Sequence, residues 1–498
     1  MRLSIAIPLL AGLVGLGGCA VTPSPLTDQE ISGLAGASFA RVMAEQEPVA
    51  GVIDLYEAMA RALKYNLDQR VEMMTAAVRT KELNLAHFSL LPGAVANTGY
   101  IARDNDNASN SINVLTGEQS LATSTSQERR LRTGDVALSW NILDFGLSYV
   151  RARQSADKLL IAEEMRRKVI ARIVEDVRTA YWRAVSADRL IHRLGDLEGR
   201  IRRAQHNAHG SSVDRQTSPI TAATYERELV EIKRAIHELQ RDLVVSRSQL
   251  AALMNLRPGT RFKLAGGATS RPPRPTIAVD QMIQTALQNR AELKEVWYQR
   301  RINGHELDAA LLELLPGLTP YVGTNYDSND YLYNNHWLGW GAKASWNLLR
   351  VVQYPAKREV IEAQDAQLDA RALAVTMAVM TQVHVSRIRY LQYSRELATA
   401  NEFLEVQRRL VGLMRTEADA ARISEQTLIR EEMNTLVAEA KRDIAHAGLQ
   451  NAFAGVYTSM GLDPYASEID PSVDVKSLAA KLRQIWLERG DAPAGRKL

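Results

Sequence analysis

Two periods alternate along this chain. Between about residues 148 and 209, Ile170, Ile173, Val174, Val177, Tyr181 and Val185 recur three and four residues apart, the spacing of one helical face. The same spacing marks about 355–415 and two return segments, about 219–256 and about 424–461, the latter through Ile429, Met433, Leu436, Ala440 and Ile444. Shorter helical stretches precede the long ones at about 54–91 and 279–315. Pro92 and Pro316 push the residue before them out of the helical region, so the chain leaves these stretches extended. A helix of about 60 residues is roughly 90 Å long. No globular core needs that length, and the paired segments read as coiled-coil hairpins.

Between the helices the period becomes two. Leu338, Trp340, Ala342, Ala344 and Trp346 hold the even positions, while Gly339, Gly341, Lys343, Ser345 and Asn347 hold the odd ones. Val136, Leu138, Trp140 and Ile142 alternate with Asp135, Ala137, Ser139 and Asn141 in the same way. About ten residues is the length of a tilted membrane-spanning strand. Partner strands at about 94–103 and 318–327 alternate more weakly, with Val322, Thr324 and Tyr326 against Gly323, Asn325 and Asp327.

A hairpin packed on the helices would also alternate. A bilayer adds aromatic girdles, for which Tyr331, Tyr333 and Trp337 stand at one end and Trp140 and Trp346 at the other. On this reading Trp140, Trp340 and Trp346 face lipid, and Asp135, Asn141, Lys343 and Asn347 face a wet lumen. The polar runs from Asp104 to Arg132 and from Asp327 to His336 become outward loops. Unpaired backbone groups in hydrocarbon cost several kcal/mol each. Four strands cannot close a barrel, because the smallest use about eight. Several chains must therefore pool their strands.

The chain also repeats itself. Leu90-Leu91-Pro92-Gly93 returns as Leu314-Leu315-Pro316-Gly317, at an offset of 224 residues. Ser139-Trp140-Asn141-Ile142-Leu143 returns as Ser345-Trp346-Asn347-Leu348-Leu349, at an offset of 206. The second offset holds without a gap through Val177/Val383 to Met254/Met460, Leu256/Leu462 and Pro258/Pro464. The offsets differ by 18 residues, all within one loop. The expected organisation is a first repeat at 51–258, a Pro-rich linker at 259–277, a second repeat at 278–464 and a tail at 465–498 with a short helix.

Composition narrows the function. Aromatics make up only 6% of the 498 residues, and the 61 basic residues are interleaved with 57 acidic ones, a solvated surface and not a nucleic-acid footprint. A single cysteine excludes a disulfide scaffold and any Cys-clustered metal site. That cysteine follows a short basic start, Arg2, and an apolar stretch from Leu3 to Val14. Leu16-Gly17-Gly18-Cys19 resembles a bacterial lipobox, implying a signal peptide at 1–18, a lipid on Cys19 and a lipidated linker at 19–50. No later run of about 18 apolar residues could cross a bilayer as a helix. His206 and His209 lack a third ligand nearby, and Asp104-Asn105-Asp106-Asn107 lacks the glycine and glutamate of a calcium loop. Phosphate-loop, nucleophile-elbow and zinc-protease motifs are absent from the sequence.

The lipobox, the duplication, Leu-Leu-Pro-Gly before each first strand and Ser-Trp-Asn-[Ile/Leu]-Leu at each second together resemble the TolC-like outer-membrane efflux factor family, in its lipoprotein branch. The resemblance implies a mainly α fold with a membrane β-barrel part. That fold is a homotrimer sharing a twelve-stranded barrel, four strands per protomer, above a long coiled-coil helical barrel in the periplasm. It also implies a passive exit duct working with a periplasmic adaptor and an inner-membrane transporter, with no catalysis and no cofactor. The family closes its periplasmic end with charged residues near the helix turns. By position these are Asp214 and Arg215 in the first turn, and Asp419 and Arg422 in the second. Ser218 and Pro219 suit the start of the return helix after the first turn. The second turn has no glycine. A lipid-anchored periplasmic adaptor or a coiled-coil scaffold is the alternative.

Overall fold

The computed structural model describes residues 23–43, 46–49, 51–213, 219–257, 259–266, 275, 277–420, 422–462 and 473–491. Cys19, Asp214 and Arg215 lie outside the described residues. After an N-terminal helix, α1 (Asp28–Met43), and a short strand β1 (Val52–Ile53), the elements come in two parallel series. The first comprises α2 (Leu55–Tyr65), α3 (Leu67–Phe88), β2 (Gly93–Ala102), β3 (Ala108–Ser109), β4 (Ser124–Thr125), β5 (Arg130–Ser139), α4 (Ile142–Val213) and α5 (Pro219–Leu253). After β6 (Lys263–Leu264) the second comprises α6 (Val279–Asn289), α7 (Ala291–Leu312), β7 (Gly317–Asp327), β8 (His336–Ser345), α8 (Leu349–Asp419) and α9 (Glu425–Ser459). A last helix, α10 (Val475–Asp491), follows.

The long helices exceed the expected limits. α4 has 72 residues and α8 has 71, each about 107 Å at 1.5 Å per residue. They start at 142 and 349, not at about 148 and 355, each just after an asparagine whose side chain accepts from first-turn amides. Asn141 Oδ1 accepts from Leu143 N at 3.0 Å and Asp144 N at 3.3 Å. Asn347 Oδ1 accepts from Leu349 N at 3.2 Å. Pro355 therefore lies inside α8, within its first turns, and does not begin it. At the far end α4 runs on to Val213 through Gly210, where a turn from His209 was expected.

The single helices expected at 54–91 and 279–315 are each two. Asn66 ends α2 with an extended ψ of 129° and caps α3, its Oδ1 accepting from Asp68 N and Gln69 N. Asn66 Nδ2 donates to Leu253 O at 3.3 Å. Arg290 breaks the second stretch with a ψ of 128° and donates to Thr458 O at 3.0 Å. The break separates two environments. α2 buries Ala58, Met59, Ala60, Ala62 and Leu63 completely or nearly so. α3 leaves Val71, Met74 and Val78 open.

The main core joins α2, α6 and α10 to the middle of α4 and α8 and the C-terminal half of α9 through Tyr181, Val383, Phe453 and Trp486. Arg178 stacks on Trp486 at 4.4 Å. The linker contributes to it, since β6 pairs in parallel with β1. Above this core α4 contacts α3 and α7, and α7 contacts α8; below it α4 contacts α5 and α9, and α9 contacts α8.

Glu47 ties the N-terminal segment to this core. Its carboxylate takes hydrogen bonds from Lys64 Nζ at 2.7 Å and from Val475 N, at the start of α10, at 3.2 Å. The Lys64 hydrogen bond is the main cause holding its carboxyl below the ordinary 4.5. A depressed folded pKa stabilises fully above the unfolded value, and that stability is lost as pH falls through the folded one. Protection factors of α10 amides, taken relative to the intrinsic exchange rate at each pH, are thus expected to be smaller below about pH 4 than at pH 7. Glu47→Gln should abolish the difference; protection factors that keep their pH dependence in that variant would locate the anchor elsewhere.

Candidate functional site

The four longer strands form one antiparallel sheet in the order β2–β5–β7–β8. Its register puts odd-numbered residues of all four strands on one face and even-numbered residues on the other. Asn97, Asp135 and Asn325 are direct neighbours across β2, β5 and β7, and Thr319 is opposite Lys343. Asn97 Nδ2 donates to Asp135 Oδ2 at 3.0 Å. On the other face lie Val136, Leu138, Leu318, Val322, Leu338 and Trp340, all exposed, Trp340 by 79%.

Burial alternates as well as residue type. In β5 and β7 the odd-face residues are mostly half-buried, whereas the even-face residues are almost all exposed. A curved sheet crowds the side chains on its concave side and spreads those on its convex side. In these two strands the odd face is therefore the more enclosed one. Close approach is built into it: a Cβ on Gly341 would meet the Tyr321 hydroxyl at 2.8 Å.

Four expectations change in detail. The alternation ends at Ser139 and Ser345, so Asn141 and Asn347 lie beyond the strands and act as helix caps. Trp140 and Trp346 also stand just past the strands. Trp346 Nε1 donates to Leu314 O at 2.9 Å, and Trp140 meets Phe145 edge-on at 5.3 Å. Trp337, opposite Asn325, belongs to the odd face. The loop after Asp104 holds a small hairpin, in which β3 pairs with β4 and Arg129 grips Asp106 by two hydrogen bonds of 2.6 Å.

Below the main core the helices are laced by ions. Glu439, 2% exposed, takes Arg193 of α4 on one side and Arg408 of α8, at 2.8 Å, on the other. One heptad away, Glu432 takes Arg200 and Arg415 in the same way, the latter at 2.9 Å. Asp443 accepts from Arg189 and from Ser186 Oγ, the latter at 2.7 Å. Each carboxylate of α9 thus bolts that helix to one or both of its neighbours. No reading of single helices picked out these residues. The signal was the shared spacing of seven in Arg193/Arg200, Arg408/Arg415 and Glu432/Glu439.

At the α8–α9 turn, Asp419 is the last residue of α8 and is exposed. Arg422 reaches back to Glu417, at 3.4 Å, and not to Asp419. Ser424 Oγ accepts from Thr427 N at 3.2 Å and caps α9. His206 is exposed on α4, and no three His, Cys, Asp or Glu side chains converge among the described residues. No described helix is long and apolar enough to cross a membrane.

A four-stranded antiparallel sheet with one largely apolar face, continuous with two helices of about 70 residues, has the fold of the TolC-like outer-membrane channels. Three solved structures illustrate the match. CusC, a transmembrane channel, superposes with a TM-score of 0.63 at 15% identity, covering 84% of this chain and 96% of its own. The Campylobacter jejuni CmeC outer membrane channel does so with a TM-score of 0.66 at 12% identity, covering 96% and 98%. The open state of the Neisseria gonorrhoeae MtrE outer membrane channel gives 0.63 at 13% identity, covering 82% and 89%. No protein-family profile matches the sequence, and no curated protein does.

Proposed function

We propose that this protein is the outer-membrane exit duct of a tripartite efflux or secretion system. In this reading it conducts solutes passively from a periplasmic adaptor and inner-membrane pump to the exterior. The observation that carries the reading is a pair of open rows. The sheet β2–β5–β7–β8 has free outer edges on β2 and β8 among the described residues. The helix row α3–α4–α7–α8 likewise ends on α3, whose Leu67, Val71, Met74 and Val78 face open space, and on α8. Exposed strand edges in a bilayer are too costly to persist, so copies close both rows into rings. Three copies supply twelve strands and twelve helices, each chain being a duplicated half-unit. The resemblance to the TolC-like family implies the same number.

Asp135 and Lys343 then face the bore, with Asn141 and Asn347 at its lower rim. Trp340 faces lipid, and Trp140 and Trp346 mark the periplasmic girdle. Cys19 carries the acyl chains that hold the N-terminus in the outer membrane. Asp419 and Arg422, with Asp214 and Arg215, charge the periplasmic tip, where an adaptor stabilises the open form through contacts the closed form lacks. No cofactor is needed. Native mass spectrometry of protein extracted from outer membranes is expected to give a trimer. That trimer should conduct in planar bilayers, and reversing Asp419 and Arg422 together should change its conductance. A monomer released from membranes at high pH would overturn the reading in favour of a lipid-anchored adaptor or scaffold.

A further inference from the structure

On the layer formed by α4, α9 and α8, the side away from the main core carries a groove of about 930 Å3. That volume lies within the range of small-molecule sites. One wall is α4, through Glu175, Thr179 and Arg183. These lie two residues from the buried Ile173, Val177 and Tyr181, about 200° around the helix and so on its opposite side. The other wall is α8, through Met377, Val385 and Arg389. The floor is α9, with Ile444, Gly448, Asn451 and Gly455.

Three features of the groove point to a ligand. The first is its depth. A Cβ added at Gly455 would touch nothing within 4 Å, whereas at Gly448 it would collide with the Tyr393 ring. Tyr393 therefore fills one end of the floor and leaves the other open. The second is charge. Just below, Arg189, Arg193, Arg200, Arg408 and Arg415 all pair with carboxylates of α9. Arg183 and Arg389 stand on opposite walls of the groove and make no ion pair among the described residues. Glu175 is the acidic lining residue, and one of its oxygens accepts from Asn451 Nδ2 at 3.4 Å. The third is an orphan. Asn451 Oδ1 is shut off from solvent and has no donor among the described residues. Apolar surface completes the set, with Met377 63% and Ile444 53% exposed.

We propose that this groove binds an amphiphilic organic anion that carries an N–H or O–H donor. Its acid group is held by Arg183 and Arg389, its apolar body lies on Met377, Val385 and Ile444, and its donor takes Asn451 Oδ1 as that amide turns toward the groove. A charge-assisted hydrogen bond is about twice as strong as a neutral one, so charge decides between otherwise similar ligands. If the chain is a duct, the groove is a resting place for acidic amphiphiles on its wall. Binding requires no conduction, so the two readings fail separately.

The test uses the full chain in lipid nanodiscs, with empty nanodiscs subtracted. The probes are 8-anilino-1-naphthalenesulfonate and its uncharged relative N-phenyl-1-naphthylamine, followed by fluorescence titration. The sulfonate is expected to bind saturably, one per chain. Arg183→Gln or Arg389→Gln should weaken it about tenfold, the equivalent of 1.4 kcal/mol, and leave the uncharged probe unaffected. Arg183→Lys should retain most of the affinity. Gly455→Leu fills the open floor and should abolish saturable binding of both probes, with its thermal unfolding confirming an intact fold. Sulfonate affinity unchanged in Gly455→Leu would overturn the proposal. So would equal loss of both probes in the arginine variants. An absence of saturable binding would mean that a neighbouring copy of the chain fills the groove instead, and would also overturn it.

Discussion

Removing Arg193 and Arg408 together is expected to destabilise the helix layer by about 3–5 kcal/mol, whereas removing either alone costs about 1 kcal/mol. The asymmetry follows from exposure. Both arginines are about half-exposed, so each is itself cheap to remove, but Glu439 is 2% exposed and cannot regain water. With one arginine left the carboxylate keeps a charged partner. With neither, a buried charge has no counter-ion, the situation in which ion-pair deletions are most costly. Denaturant unfolding of the two single variants and the double variant measures this as a coupling energy. Strict additivity would mean that Glu439 is not the shared anchor. The functional corollary concerns motion. α9 cannot slide against α4 or α8 without breaking these pairs one heptad at a time, so the ladder sets which helices move as a unit.

The second large effect is expected from two adjacent residues on opposite faces of β5. Val136→Arg places a cation on the exposed, apolar face, where a bilayer exacts about 2–4 kcal/mol near its midplane. The protein should then fail to accumulate as assembled oligomer in the outer membrane. Asp135→Arg makes a comparable change one residue away, on the opposite face beside Asn97 and Asn325. It should assemble normally and shift ion selectivity toward anions, since a charged ring lining a pore weights which ions pass. Equal assembly of the two variants in heat-modifiability gels would mean that the even face does not meet lipid.

The sheet was legible in the sequence because period two is local. Leu338, Trp340 and Ala342 declare their face without reference to distant residues, and the register puts Val136, Leu138, Leu318 and Val322 on the same face, whereas β2 carries Val95 and Ile101 on the other. Strand ends were not legible. Alternation runs on into Trp140-Asn141 and Trp346-Asn347, and only the position of the helix start shows that the asparagines are caps. The break at Asn66 was hidden for a related reason. Helical spacing continues across it, while the interaction that fixes it, to Leu253 O, comes from 187 residues away. The α9 carboxylates find their α4 partners 232 to 254 residues away, so no window along one helix contains both members. α1 was missed within the expected linker, although Ile31, Leu34, Ala35, Ser38 and Val42 keep helical spacing. The candidate tip residues were placed by family position alone, and their surroundings are set by how the turn folds: Arg422 chose Glu417.

The central claim is that one sheet face meets lipid while the other lines water. Single cysteines at residues 134–138 and 338–343, labelled in intact outer membranes with a small membrane-impermeant thiol reagent, test it most directly. Labelling is expected at 135, 137, 339, 341 and 343 and blocked at 134, 136, 138, 338, 340 and 342. Uniform labelling of both parities would contradict the claim, because a water-exposed sheet has no protected face.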